Sequence, residues 1–124
     1  SYGRKYTADR EMLIATVPVG YADGYPRLLA QGGAQVLIRG QRCPVLGRIC
    51  MDQLMADVTP LGQVPIGERV TLIGRDGEEE ITAGEVAGWE GTIHYEVVCA
   101  LSKRVPRVYL KNGKTDSIYN QLLP

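Results

Sequence analysis

The chain has 124 residues, 44% of them hydrophobic, which is one domain's worth of sequence with a single core to build. Fourteen basic residues balance fourteen acidic ones, so no long-range field draws it to nucleic acid or to an anionic membrane, and partners must be selected locally. No apolar run approaches the roughly 18 to 20 residues of a transmembrane helix, and no signal-peptide pattern opens the sequence.

In chain order, the opening SYGRKYTADREMLIATVPVGYADGYPR sets four tyrosines, at 2, 6, 21 and 25, among glycines and arginines. Tyr2, Tyr21 and Tyr25 adjoin Gly3, Gly20 and Gly24, which mark sharp turns or close backbone approach. A phenol on such a turn is expected to be presented rather than buried, with its hydroxyl seeking a polar partner. Short apolar and period-2 runs predict strands over residues 12–19, 35–38, 43–46, 49–58, 69–73 and 105–110. Gly32-Gly33, Arg39-Gly40-Gln41, Asp76-Gly77 and Asn112-Gly113 separate them as tight turns. Thr82-Ala83-Gly84-Glu85 has the form of a capping box and opens a short helix to about Ala87, while Thr92 is the expected cap of a second helix over residues 93–102. Residues 112–124 are more polar and are expected to fray. The pattern predicts one all-β domain over 1–124, mainly an antiparallel barrel, with two short helices near its C-terminal part.

Three cysteines, Cys43, Cys50 and Cys99, form no CxxC pair and leave an odd thiol, a usage that fits a reducing, cytoplasmic compartment. Two segments carry chemistry. Gly20-Tyr21-Ala22-Asp23-Gly24-Tyr25-Pro26-Arg27 follows a strand and ends in a guanidinium able to grip a carboxylate or phosphate, although a polar loop with Asp23 bonded to its own backbone explains the same residues. Gly47-Arg48-Ile49-Cys50-Met51-Asp52-Gln53 sets Arg48, Asp52 and Gln53 in a stretch that otherwise reads as a buried strand. Buried charge needs a partner, and an internal Arg48–Asp52 or Arg48–Asp23 ion pair is the purely structural reading. No cluster suggests a metal site.

These two segments, with Ser1-Tyr2-Gly3, Thr92-Ile93-His94-Tyr95-Glu96 and Arg104-Val105-Pro106-Arg107, together resemble the C-terminal domain of alanine racemase, in order and at consistent spacing from Tyr2 to about Leu110. That family's larger N-terminal α/β barrel, with the lysine that binds pyridoxal phosphate covalently, has no counterpart in the chain, which therefore reads as an excised part expected to be inactive alone. The resemblance implies a homodimeric enzyme that interconverts L- and D-alanine, supplies peptidoglycan precursor, and completes its active site between one subunit's barrel and the partner's C-terminal domain.

Racemisation needs two bases facing each other across the cofactor plane, and by resemblance Tyr2 is the base contributed by this domain. Tyr21 resembles the tyrosine at the narrow mouth of the substrate channel, and Arg27 and Arg48 resemble the arginines of the wider corridor that attract the carboxylate. Met51 resembles the position whose backbone N–H holds the substrate carboxylate, with Asp52 beside it orienting its neighbours; core packing is the other reading of Met51. Ile93 resembles the isoleucine of the channel wall and Tyr95 the tyrosine that reaches the cofactor phosphate, although Tyr95 also reads as a helix-packing aromatic. His94 reads as a surface or packing residue, Cys50 as a small core residue, and Arg107 matches a motif without a role. Two further readings stay open: a serine/alanine racemase domain, and a stand-alone β-barrel binding module, the latter disfavoured by the neutral charge. Decarboxylases of basic amino acids share the architecture but carry a different motif at Cys50-Met51-Asp52-Gln53.

Overall fold

The computed structural model describes residues 2–123; Ser1 of the opening motif and Pro124 of the polar tail lie outside the described residues. Strand β1 (Ile14–Val17) pairs antiparallel with β4 (Leu54–Asp57), and β2 (Gln35–Ile38) with β3 (Gln41–Pro44). β5 (Gly74–Asp76) pairs with β6 (Glu79–Ile81), and β7 (Arg107–Lys111) with β8 (Lys114–Tyr119). Single bridges, Leu37 to Thr71 and Val45 to Ala56, stitch the ladders together. Two short helices, α1 (Ala83–Glu90) and α2 (His94–Cys99), fall in the C-terminal part. The antiparallel, mainly β architecture with two helices is the one expected, its pairing divided among four two-stranded ladders. Among the described residues no helix is long and apolar enough to cross a membrane.

Local chemistry accounts for the elements. The turns predicted at Arg39-Gly40, Asp76-Gly77 and Asn112-Gly113 each close a hairpin, and all three glycines have positive φ. Thr82 caps α1 by accepting the Glu85 N–H at 3.1 Å, as the capping box predicts. Thr92 does not cap the next helix. Gly91, at φ +81°, ends α1, and the Gly91 and Thr92 N–H groups both bond to the Ala87 carbonyl, so Thr92 is consumed in closing α1 and the cap position of α2 passes to Ile93. The run predicted over 49–58 is a strand only from Leu54, because Cys50 N–H bonds back to Gln53 O and folds residues 50–53 into a turn. The 69–73 run supplies one bridge at Thr71, and the polar tail expected to fray contributes β8.

The core lies between β2, β3, β4, β6 and α1. Leu29, Val36, Leu37, Ile38, Ile49, Leu54, Ile81 and Val86 are almost completely buried, each worth about 1.5–3 kcal/mol of transfer free energy relative to exposure. Two contacts brace this scaffold. Gly32, at the end of the 3-10 turn Arg27–Gly32, lies so close to α1 that a Cβ there would meet the Trp89 carbonyl at 1.9 Å. Arg42 on β3 donates to Glu79 at 2.8 Å, to Glu85 at 2.6 Å and to the Glu80 carbonyl at 2.7 Å, tying β3 to β6 and α1.

Candidate functional site

Two loops build one cleft. The first begins at Gly20, where Tyr21–Asp23 form a 3-10 turn closed by Gly24 at φ +98°. The Tyr21 and Ala22 N–H groups donate to the Cys50 and Met51 carbonyls at 3.1 and 3.0 Å. Gly20 is required by this approach: a Cβ there would stand 2.2 Å from the Cys50 oxygen and 2.4 Å from the Met51 oxygen. Gly20 therefore lets the 20–24 turn seat directly on the backbone of the 50–53 turn, while Gly24 lets its other end approach the Ala100 carbonyl.

The resulting cleft, about 640 Å³, is lined by Tyr2, Tyr21, Arg27, Ile49, Cys50, Met51, Asp52 and Gln53. Five of the residues singled out from sequence, Tyr2, Tyr21, Arg27, Met51 and Asp52, thus share one surface. Arg48 is not in the lining but lies beside the turn that carries Tyr2, its Nη1 3.4 Å from where a Cβ on Gly3 would stand. Ile93 and Tyr95 are set apart from the lining, exposed at the start of α2, where the Tyr95 ring packs on His94 with centroids 4.1 Å apart. Ile49 forms the buried floor, whereas Tyr2 and Met51 are more than half exposed. The core-packing reading of Met51 is thereby excluded. Its N–H makes no intramolecular hydrogen bond among the described residues, which leaves a backbone donor open at the cleft. A larger and more apolar groove, about 910 Å³, runs between β1 and residues 62–68 and holds none of the residues singled out from sequence.

The charges pair differently from either ion pair considered for Arg48. Asp23 and Asp52 are both held by Arg104: its Nε donates to Asp23 Oδ1 at 2.7 Å, and its Nη2 donates to Asp52 Oδ1. The second Asp23 oxygen accepts the Gly20 N–H at 2.9 Å, so Asp23 bonds its own loop and a distant cation at once. Burial pushes the Asp23 carboxyl up, but the Arg104 hydrogen bond, the Gly20 N–H and the Arg104 charge outweigh it and hold the group below its ordinary value. Arg107 donates to the carbonyls of Ser102 at 2.6 Å, Leu101 at 3.2 Å and Val105, bracing the loop that delivers Arg104.

Tyr25 departs from expectation. Gly24 reverses the chain, Tyr25 N–H bonds to Gly20 O at 3.2 Å, and the ring enters the core at 4% exposure, with its hydroxyl unpartnered among the described residues. Burial drives its phenol far above the ordinary value, which keeps it neutral. Sequence reasoning also missed Cys50 and Gln53 as lining residues and gave Arg104 no role; the only hint was two acidic side chains in need of a cation.

The chain matches the family model "Alanine racemase, C-terminal domain" over residues 1–109. It is 57% identical over 123 residues to the alanine racemase of Clostridium novyi, covering 98% of this chain and 32% of that protein. It is 60% identical over 109 residues to that of Symbiobacterium thermophilum, covering 88% and 29%. Its fold superposes with a TM-score of 0.92 at 48% identity on the crystal structure of alanine racemase from Bacillus anthracis with bound L-Ala-P, covering 98% of this chain and 31% of that one. The chain thus spans about a third of the length of the relatives it matches. On this sequence and structural agreement, the chain belongs to the alanine racemase C-terminal domain family.

Proposed function

We propose that this chain supplies one wall of the active site of an alanine racemase, the rest coming from the barrel of a partner subunit. The observation that carries this reading is the single cleft gathering Tyr2, Tyr21, Arg27, Met51 and Asp52. The residues present test the fit to pyridoxal phosphate. No lysine lines the cleft, so covalent attachment falls to a lysine outside it, and the exposed phenol of Tyr95, apart from the cleft at the start of α2, is the group here that would reach the cofactor phosphate. When bound, the cofactor supplies the electron sink that makes the substrate α-proton acidic.

This chain's side chains then have distinct tasks. Arg27 and Arg48 draw the amino-acid carboxylate inward, and the open Met51 N–H donates a hydrogen bond to one of its oxygens. The Tyr2 phenolic oxygen takes the α-proton of one enantiomer from its face and, in the reverse direction, gives a proton back to that same face, while a base outside this chain serves the opposite face. Tyr21 narrows the approach to this cleft, while Ile93, apart from it at the start of α2, would form channel wall beside Tyr95. The product pair, L- and D-alanine, places the enzyme in the cytoplasmic supply of cell-wall precursor.

Tyr2→Phe in the full-length enzyme tests the reading. The loss should be asymmetric: in deuterated water, exchange of the α-hydrogen of D-alanine persists, while that of L-alanine and net racemisation fall roughly 10²- to 10⁴-fold, the range for losing a general base. Equal and mild losses in both directions would demote Tyr2 to a packing residue.

A further inference from the structure

The cleft depends on a residue that does not line it. Tyr21 and Met51 stand on separate turns whose backbones touch at Gly20, and the side chains of both turns converge on Arg104. From the 20–24 turn comes Asp23, only 14% exposed, and from the 50–53 turn comes Asp52, 52% exposed at the cleft. The guanidinium addresses both with different nitrogens, a geometry that the compact ammonium of lysine does not reproduce. Arg104 is itself fixed: its N–H donates to Ser102 Oγ at 3.3 Å, Ser102 N–H donates to the Asp23 carbonyl at 3.0 Å, and Arg107 ties down the carbonyls around it.

Two consequences follow for an anionic substrate. The clamp sets the spacing between the turn that carries Tyr21 and the backbone N–H of Met51. It also neutralises Asp52, which lines the cleft and would otherwise face an incoming carboxylate with like charge, together with the more buried Asp23. We propose that Arg104 is a positioning residue for substrate binding, acting through Asp23 and Asp52 and never touching the reacting atoms. The inference rests on the reading of the cleft as a racemase site.

The test uses the full-length enzyme with Arg104→Met, Arg104→Lys and Asp52→Asn, assayed in both directions. Arg104→Met should raise KM for alanine roughly tenfold, the scale of one charge-assisted hydrogen bond, with kcat within about threefold of the parent. Arg104→Lys, which keeps the charge but reaches one carboxylate, should fall between them. Adding Asp52→Asn to Arg104→Met should lower KM again by removing an unpaired charge, and added salt should narrow the gap between Arg104→Met and the parent. A merely structural brace moves neither the double variant nor the salt response. A folded Arg104→Met whose KM stays within twofold overturns the proposal, as does a loss confined to kcat. If Arg104→Met does not fold, unchanged KM in both Arg104→Lys and Asp52→Asn overturns it equally. A parent enzyme without racemase activity would remove the reading on which this rests, whereas an active parent with unmoved KM values sinks this inference alone.

Discussion

Two arginines in this domain solve the same physical problem in different places. Arg42 joins Glu79 and Glu85 on the scaffold, and Arg104 joins Asp23 and Asp52 beneath the cleft; the two side chains are 30% and 37% exposed. Each region also has a glycine pressed onto a carbonyl, Gly32 on Trp89 and Gly20 on Cys50. What differs is the cargo. Arg42 and Gly32 hold β3, β6, α1 and the C-terminal end of the 27–32 turn, whose first residue, Arg27, is the only one of that group to reach the cleft, while Arg104 and Gly20 hold two turns whose outer faces are Tyr21, Met51 and Asp52. Identical contacts therefore secure stability in one region and the shape of a binding surface in the other.

The sharpest way to break this comparison is the glycine pair. Gly20→Ala and Gly32→Ala both force a backbone shift and should each cost at least about 1–3 kcal/mol of stability, read as a fall in Tm. Only Gly20→Ala should also lower kcat/KM of the full-length enzyme, by tenfold or more on the order of a 1.4 kcal/mol loss, after correction for folded fraction. Equal kinetic damage from Gly32→Ala would erase the distinction. A milder effect is expected of Arg42→Met, which should lower Tm by roughly 4–8 °C and leave KM unchanged, the converse of Arg104→Met.

The smallest effect is a matter of pH. Asp57, on the scaffold, is held below its ordinary value by the Thr59 hydroxyl and N–H, against the opposing effect of burial, and by Arg10; Asp23 is lowered on the cleft side. A carboxyl with a depressed folded pKa contributes stability that is present above the ordinary value of 3.8 and lost as pH falls below it through the folded value. Thermal melts from pH 6 down to about pH 2 should show that acid limb, and Asp57→Asn should flatten it with KM intact. Asp23→Asn should flatten it and raise KM as well. An unaltered acid limb in both variants would remove these carboxyls from the account of acid unfolding.

Much of this was legible in the sequence where the determinants are local. Thr82 and Glu85 are three residues apart, and the turns at Arg39-Gly40, Asp76-Gly77 and Asn112-Gly113 need only their own backbone preferences, so the α1 start and three hairpins were readable. Of the residues lining the cleft, Tyr2, Tyr21, Arg27, Met51 and Asp52 were singled out by motif resemblance, whereas Cys50 and Gln53 were not, and Ile93 and Tyr95, singled out the same way, lie apart from it. The burial of Tyr25 was not readable, because Tyr21 and Tyr25 have the same glycine-rich surroundings and only the direction of the chain after Gly24 sends one ring out and the other in. Thr92 was misplaced because two helix ends compete for it, and the end of α1 wins through Gly91. Arg104 was named within a motif but given no role, because its partners lie 81 and 52 residues away, a distance over which neither periodicity nor spacing carries information.

That separation has a consequence in time. Closing a loop costs entropy that grows with its length, by about 0.6 kcal/mol for each doubling. The Asp23–Arg104 contact closes 81 residues, where the Arg42 contacts to Glu79 and Glu85 close 37 and 43. The two cleft turns meet at Tyr21 and Cys50, closer in sequence than Arg42 and Glu79, so they can form as early as the scaffold, and the Arg104 clamp is the last contact to close and the first to open. In hydrogen exchange, the Ser102 amide, bonded to the Asp23 carbonyl beside the clamp, should lose protection ahead of those of Tyr21 and Ala22, so the clamp loosens over a cleft that stays formed.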